Sequence, residues 1–246
     1  MPTTLFKLLT ISTLLSILLS GCIVIDLNGC GLEKVKGSGN VVSETRQISD
    51  FNRVKLEGQG KVFITRGENQ SLEVKTDDNI LPHIETIVRN GKLIISHENK
   101  NLRPTTLNLF ITVNDLKGTS IAGSGEIKGN SRFISDNFSA EISGSGSIDL
   151  DLETTRLESE ISGSGSIYLS GIADSHSAKI TGSGKIHAFD MQARIASVSI
   201  TGSGDCLLTA SDQLSAKITG SGDALYKGHP RIENNITGSG EVKNTN

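Results

Sequence analysis

From about residue 120 to the end, apolar and polar residues alternate, and the alternation returns on a fixed period. Ile142, Ile161, Ile180, Ile200, Ile218 and Ile236 each stand two residues before a Gly-Ser-Gly triplet. Ser143, Ser162, Thr181, Thr201, Thr219 and Thr237 fill the position between. After each triplet come one polar residue and then a smaller or aliphatic one: Ile127, Ile148, Ile167, Ile186, Cys206, Ala224 and Val242. A period of two is the mark of a strand with one buried face. It puts Ile142, Gly144, Gly146 and Ile148 on one side, and Ser143, Ser145 and Ser147 on the other.

The triplets begin at Gly123, Gly144, Gly163, Gly182, Gly202, Gly220 and Gly238, in steps of 21, 19, 19, 20, 18 and 18 residues. Another copy stands at Gly37-Ser38-Gly39, and a variant at Gly58-Gln59-Gly60. A short unit recurring at near-constant spacing cannot bury its apolar face alone, so it stacks on its neighbours. The predicted fold is all-β: a single-stranded, parallel, right-handed β-helix (β-solenoid) with an irregular β-rich N-terminal part. The glycines mark a bend, or a contact too close for a side chain. Leucine-rich repeats would need a Leu/Asn consensus, and WD40 blades a period of about 40 residues. Calcium-binding nonapeptide repeats would need an Asp ladder, whereas the residue after the triplet varies from Lys185 to Asp205 and Glu241.

The N-terminal half is less regular. Strands are expected around Val54–Leu56, Lys61–Thr65, Leu72–Lys75, Lys92–Ser96 and Leu107–Val113. Asn90-Gly91 predicts a tight hairpin. Asn79 to Val88 suggests a short helix, its start limited by Pro82. This half is expected to cap the solenoid, because an open strand edge invites aggregation.

The first 21 residues read as an address. Lys7 supplies a positive start, and Leu8 to Leu19 form an apolar run of signal-peptide length. A bilayer span would take roughly 20 such residues. Leu19-Ser20-Gly21-Cys22 resembles the lipobox of bacterial lipoproteins, in which diacylglycerol is joined to the Cys thiol and the leader is cut before it. Residues 1–21 are thus expected to be a lipoprotein signal peptide, 22–49 a tether lipidated at Cys22, and 50–246 the solenoid domain. Ile23, in place of Asp, leans towards the outer membrane. Cys30 and Cys206 remain; they could pair in an oxidising compartment, or Cys206 could fill an apolar slot in its coil.

Composition agrees with a thin core. Aromatics are 4% and Trp is absent, while Gly numbers 27 in 246 residues. The net charge of −3, evenly mixed in sign, excludes a nucleic-acid partner and a basic face for anionic lipid.

Parallel β-helices also carry polysaccharide-cleaving enzymes, whose chemistry needs convergent carboxylates. Asp149 and Asp151 share an outward face two residues apart, with Lys179 or Lys185 as a basic neighbour in an adjoining ladder. Solvated wall residues explain them better. The five histidines (His83, His97, His176, His187, His229) lack metal spacing and read as surface polarity. The triplets run into strands rather than helices, so they are not phosphate loops. Their serines repeat without a base, so they are not nucleophiles.

Phe51-Asn52-Arg53-Val54, the Gly-Gln-Gly turn, the strand ending Ile111-Thr112-Val113 and the serial Ile-Ser/Thr-Gly-Ser-Gly coils together resemble the head GIN domain family over roughly residues 50–230. The resemblance implies a secreted or lipoprotein β-solenoid of the kind named "putative auto-transporter adhesin". No barrel-forming segment follows the repeats here, so a lipid anchor is expected to replace self-translocation. The expected role is adhesion or ligand binding at the cell surface or in the periplasm, without catalysis, cofactor or metal. A glycan, another protein or a second copy of the chain would meet the hydroxyl-rich walls. A carbohydrate-active enzyme and a self-associating structural or regulatory component are the alternatives.

Overall fold

The structure, a computed structural model, describes residues 34–98 and 101–246. The expected leader (residues 1–21), Cys22, Ile23 and Cys30 lie outside the described residues.

The strands of the irregular part are β1 (Lys34–Lys36), β2 (Val41–Thr45), β3 (Arg53–Gly58), β4 (Lys61–Arg66), β5 (Ser71–Asp77), β6 (Ile84–Arg89), β7 (Lys92–His97), β8 (Asn101–Arg103) and β9 (Leu107–Val113). The regular coils follow as β10 (Gly118–Gly123), β11 (Glu126–Gly144), β12 (Ser147–Gly163), β13 (Ser166–Gly182), β14 (Lys185–Gly202), β15 (Asp205–Gly220), β16 (Ala224–Lys227), β17 (Arg231–Gly238) and β18 (Val242–Asn244). From β10 upwards each strand pairs in parallel with the next coil. This is the β-solenoid that the repeat predicts.

The stacking is in register residue by residue. Ile95, Leu56, Ile121, Ile142, Ile161, Ile180, Ile200 and Ile218 form one buried column. Beyond the bend, Leu109, Val62, Ile127, Ile148, Ile167, Ile186, Cys206 and Ala224 form another. Fully burying one such aliphatic side chain is worth roughly 1.5–3 kcal/mol, and each coil contributes its share only when stacked.

The glycines have the two duties expected of them. Gly163 holds φ at 129°, a region where a Cβ is strained. A Cβ there would also press on the carbonyl oxygen of Gly144, the atom that accepts the coil-to-coil bond from Ser164 N–H. Gly165 is not among the positive-φ glycines, yet a Cβ would lie 2.7 Å from the Gly146 carbonyl oxygen and 2.7 Å from Ile142 Cγ2. The backbone ladder therefore runs unbroken through the bend, and only glycine lets it.

The chain does not lay its coils in sequence order. Gly58 pairs with Gly123, so the Gly-Gln-Gly variant belongs to the glycine column. Below β3 lies β7, and below β4 lies β9, although both come later in the chain than β3 and β4. The bottom is then closed by antiparallel strands: β6 on β7, β5 on β9, and β2 on β5. Asn90 (φ 51°) and Gly91 (φ 70°) make the predicted β6–β7 hairpin. This is the expected cap.

One expectation needs correction. Asn79 to Val88 is not a helix: a single 3-10 turn spans Leu81–His83, and β6 follows. Ile84, Thr86, Ile87 and Val88 are β-branched, and the hairpin gives them a partner strand. Gly37-Ser38-Gly39 has the motif but not the place. It packs on Asp77, whose carboxylate accepts from Gly39 N–H at 2.8 Å and from Thr105 N–H and Oγ1 at 2.7 Å each.

Candidate functional site

The wall that follows the bend begins with an inward residue, and the next points out. Down the stack this outward position reads Phe110, Phe63, Lys128, Asp149, Tyr168 and His187, then Leu207 and Leu225. Phe63 and Phe110 stack with centroids 5.3 Å apart. Tyr168 and His187 stack at 4.5 Å with planes 3° apart. Such offset or parallel ring pairs add about 0.5–1.5 kcal/mol beyond their burial. The corresponding column before the bend is different: Lys55, Ser120, Glu141, Glu160, Lys179 and Ser199. Among the described residues, every aromatic side chain that reaches solvent (Phe63, Phe110, Tyr168 and Phe189) belongs to the wall after the bend; Phe51, Phe133, Phe138 and Tyr226 are core.

Phe189 reaches that wall through a β-bulge. Between Tyr168/His187 and Ser170/Asp190 the upper strand carries one extra residue. This is the extra residue of the 20-residue step. The 21-residue step puts its surplus at the same corner, between Lys128 and Arg132. Bulges re-aim side chains, and here the result is an open notch of about 420 Å³ whose rim includes Asp149, Tyr168, Ser170, His187, Phe189 and Asp190. Lys227 Nζ sits 4.6 Å from the centre of the Phe189 ring, within cation–π range. Thr209 Oγ1 donates to the Phe189 carbonyl at 2.7 Å, which ties the bulge to the next coil.

The electrostatics keep this notch free of fixed positive charge on the ring stack. Partial burial, helped by the charge on Lys185, lowers the His187 pKa, and Asp205 only partly opposes the shift. His187 is therefore neutral near pH 7.

The predicted site residues are divided among different partners. Asp149 faces Lys128 at 3.9 Å. Asp151 takes Arg132 Nε on both oxygens, at 3.0 and 3.1 Å. That hydrogen bond and charge raise the Arg132 pKa. Lys179 is held by Glu160 at 2.7 Å, on the wall before the bend, and Lys185 by Asp205 at 3.0 Å. Neither lysine reaches the two aspartates as a common group. The Ser and Thr ladder is real: Ser143, Ser162, Thr181, Thr201 and Thr219 lie in one exposed column.

One histidine was misplaced by surface reasoning. His176 is 2% exposed, in a buried column with Phe138, Leu157, Ala196 and Leu214. Its Nε2 lies 2.8 Å from Ser159 Oγ. Burial pushes its pKa down to about 4, so it is neutral and its hydrogen bond is with a neutral hydroxyl. Of the others, His83 pairs with Glu98 at 3.0 Å and His229 is exposed. Among the described residues no three His, Cys, Asp or Glu side chains gather as a metal site. Cys206 is a buried free thiol in its apolar column, as its slot suggests.

Sequence reasoning looked for acids and missed the aromatic wall. Its signal is available: from Gly58 onward, the residue three after the second glycine of each triplet is Phe63, Lys128, Asp149, Tyr168, His187, Leu207, Leu225 and Lys243.

Known structures share this architecture. A "putative adhesin" from Bacteroides fragilis superposes with a TM-score of 0.80 at 26% identity, over 86% of this chain and all of that one. A "putative lipid binding protein" from Parabacteroides distasonis gives 0.75 at 26% identity, over 87% of this chain and all of that one. A "putative adhesin" from Parabacteroides merdae gives 0.71 at 25% identity with the same coverage. No curated protein matches the chain. Residues 50–230, the capped stack with its glycine column, match the family described as "putative auto-transporter adhesin, head GIN domain", and the chain belongs to that family.

Proposed function

We propose that this chain is a lipid-anchored adhesin of the bacterial envelope that binds its partner without chemistry, through the wall after the glycine bend. The observation that carries the reading is the concentration of solvent-reaching aromatics on that wall, in a molecule with 4% aromatic residues. Exposed apolar patches with a polar rim mark interaction surfaces. Family membership and the adhesin descriptions of similar structures support it. Asp149, Asp151 and Asp205 on this wall each face a cation, which favours recognition over acid–base hydrolysis. Anchoring rests on the Leu19-Ser20-Gly21-Cys22 sequence, with outer-membrane placement from Ile23. Acyl chains worth about 0.8 kcal/mol per buried CH₂ would hold the stack on a membrane. The test is a cell-attachment assay with Cys22→Ala and Tyr168→Ala. The reading requires Cys22→Ala to leave the membrane fraction and Tyr168→Ala to stay there with reduced attachment. An enzyme that releases sugars from envelope polysaccharide would overturn it.

A second reading, self-association, is favoured by β17. Its residues are exposed throughout, and Ile232 and Ile236 continue two buried columns into solvent. An unpaired edge of this kind is a template for another chain. Sedimentation of the wild type and Ile236→Lys at rising concentration decides whether it is used.

A further inference from the structure

We infer that the notch at the β14 bulge is a saccharide-binding subsite, selective for neutral pyranose sugars. The inference rests on the binding role proposed above and names the ligand chemistry of that same wall.

The ring geometry sets the first requirement. His187 covers one face of the Tyr168 ring. The other face looks one coil down, towards Asp149. Aspartate is much shorter than tyrosine, so the outer part of the ring stands clear above the carboxylate. This makes a step with an apolar riser and an acceptor at its foot. A pyranose has the matching shape: one face of C–H bonds and a rim of hydroxyls. Tyr168 is 43% exposed, so the apolar face is open to solvent.

The polar groups set the second requirement. Asp190 is exposed at the rim, and its carboxylate has no hydrogen-bond or ion-pair partner among the described residues. The Tyr168 and Ser170 hydroxyls and the His187 ring nitrogens also lack a hydrogen-bond partner there. Asp149 meets Lys128 only at 3.9 Å, beyond hydrogen-bonding distance. A ligand that donates several hydroxyl protons would satisfy these acceptors. Elsewhere on the wall the carboxylates are already used: Asp151 by Arg132, and Asp205 by Lys185.

Charge sets the third requirement. The rim carries two carboxylates. Of the cations around it, Lys227 lies over the Phe189 ring and Lys185 pairs with Asp205. Lys128 faces Asp149 at 3.9 Å, which offsets its charge but leaves the Asp149 oxygens free to accept hydrogen bonds. Sulfated or uronic sugars and lipid phosphates would meet like charge and are disfavoured. The bulge fixes specificity by position, because the extra residue of the 20-residue coil puts Phe189 beside the step.

The experiment uses the purified full-length protein in detergent on an array of neutral, amino and uronic oligosaccharides, followed by calorimetry with the tightest neutral binder. Anionic and neutral phospholipid vesicles form a second arm. Tyr168→Ala and Asp190→Asn are each expected to weaken the neutral sugar at least tenfold. Lys179→Ala, on the wall before the bend and paired there with Glu160, is expected to leave it within twofold. Thermal melting of each variant checks the fold, and Tyr168→Phe, which keeps the ring, should retain most affinity. Binding of uronic sugars or vesicles in preference to neutral sugars overturns the inference. So does neutral-sugar binding that survives both notch variants, or no sugar binding at all. If sugars fail while Tyr168→Ala still abolishes cell attachment, the saccharide inference falls and the adhesin reading stands. If sugars bind through the notch while attachment is untouched, the subsite stands and the adhesin reading falls.

Discussion

His176 Nε2 lies 2.8 Å from Ser159 Oγ inside the stack, although each belongs to a column otherwise made mostly of apolar side chains. The two residues are 17 apart in sequence and one coil apart in space. A fully buried imidazole costs little while neutral and much when charged.

This pair predicts a pH dependence whose sign follows from burial. The folded pKa of His176 is about 4, below the usual 6.5. Between those values the unfolded chain binds a proton that the folded chain refuses. Stability is full above pH 6.5 and falls as pH drops towards 4. The loss across the window is about 3 kcal/mol, since one pKa unit is about 1.4 kcal/mol. Urea midpoints at pH 7.5 and pH 4.5 measure it. His176→Leu with Ser159→Ala should flatten the difference, whereas Ser159→Ala alone should keep it. A wild-type midpoint that is level across this range would refute the assignment.

A second, more acidic dependence comes from Asp77. Burial raises its pKa, but hydrogen bonds from the Thr105 hydroxyl, then from Thr105, Gly39 and Thr106 N–H, outweigh burial and hold it below the usual carboxylate value. A depressed carboxylate stabilises the fold above its unfolded pKa and stops doing so as pH falls through the folded value. The acid limb of the melting curve, below that of His176, should therefore shrink in Asp77→Asn. The variant should also melt lower at pH 7, because its amide N–H₂ cannot accept from Gly39 and Thr105. The Gly37-Ser38-Gly39 segment should lose hydrogen-exchange protection first.

The glycine column allows a graded test. Gly163→Ala adds left-handed strain and overpacking against a ladder carbonyl, while Gly165→Ala adds overpacking alone. Each is expected to cost about 2–4 kcal/mol, with Gly163→Ala the worse. Gly39 has φ 86° but open space where a Cβ would go, so Gly39→Ala should cost only about 1 kcal/mol. Denaturant midpoints that rank Gly39→Ala with Gly163→Ala would show that the triplet at Gly37 is part of the stack after all.

The contrast between those glycines also marks how far the sequence could be read. Columns were legible because a parallel stack puts equivalent repeat positions on top of one another, so the Ile142–Ile161–Ile180 spacing is the structure. The lower coils were not, because β7 and β9 join the stack beneath strands that precede them, and no period connects Ile95 to Leu56. Asn79 to Val88 misled because a proline-containing turn resembles a helix start until the partner strand is known. His176 was unreadable because polarity alone says surface, and only register shows that Ser159 stands within reach. The aromatic wall was legible at the third position after each bend, yet attention to carboxylate chemistry passed over Tyr168 and His187. The Phe189 bulge is visible only as one step of 20 residues among steps of 18, 19 and 21.

Cys206 gives the last prediction. It takes the place of Ile186 in its column and is followed by Ala224 and then Val242. Burial, then the neighbouring Asp205 charge, push its thiol up to about 12. The thiolate is the reactive form, so native protein should resist an aromatic disulfide reagent at pH 8 at this position. Labelling should appear only with denaturant, along the same curve as global unfolding, because no local opening short of parting β14 from β15 or β15 from β16 exposes the sulfur. Cys206→Ala opens a small gap and should cost about 1 kcal/mol. Cys206→Ser puts a hydroxyl where Ile186 and Ala224 offer no partner, and should cost more, about 1–3 kcal/mol. Rapid native labelling of Cys206 would mean that the upper coils open independently of the rest. It would then locate the weakest interface of the stack between β14 and β16, next to the notch that Phe189 borders.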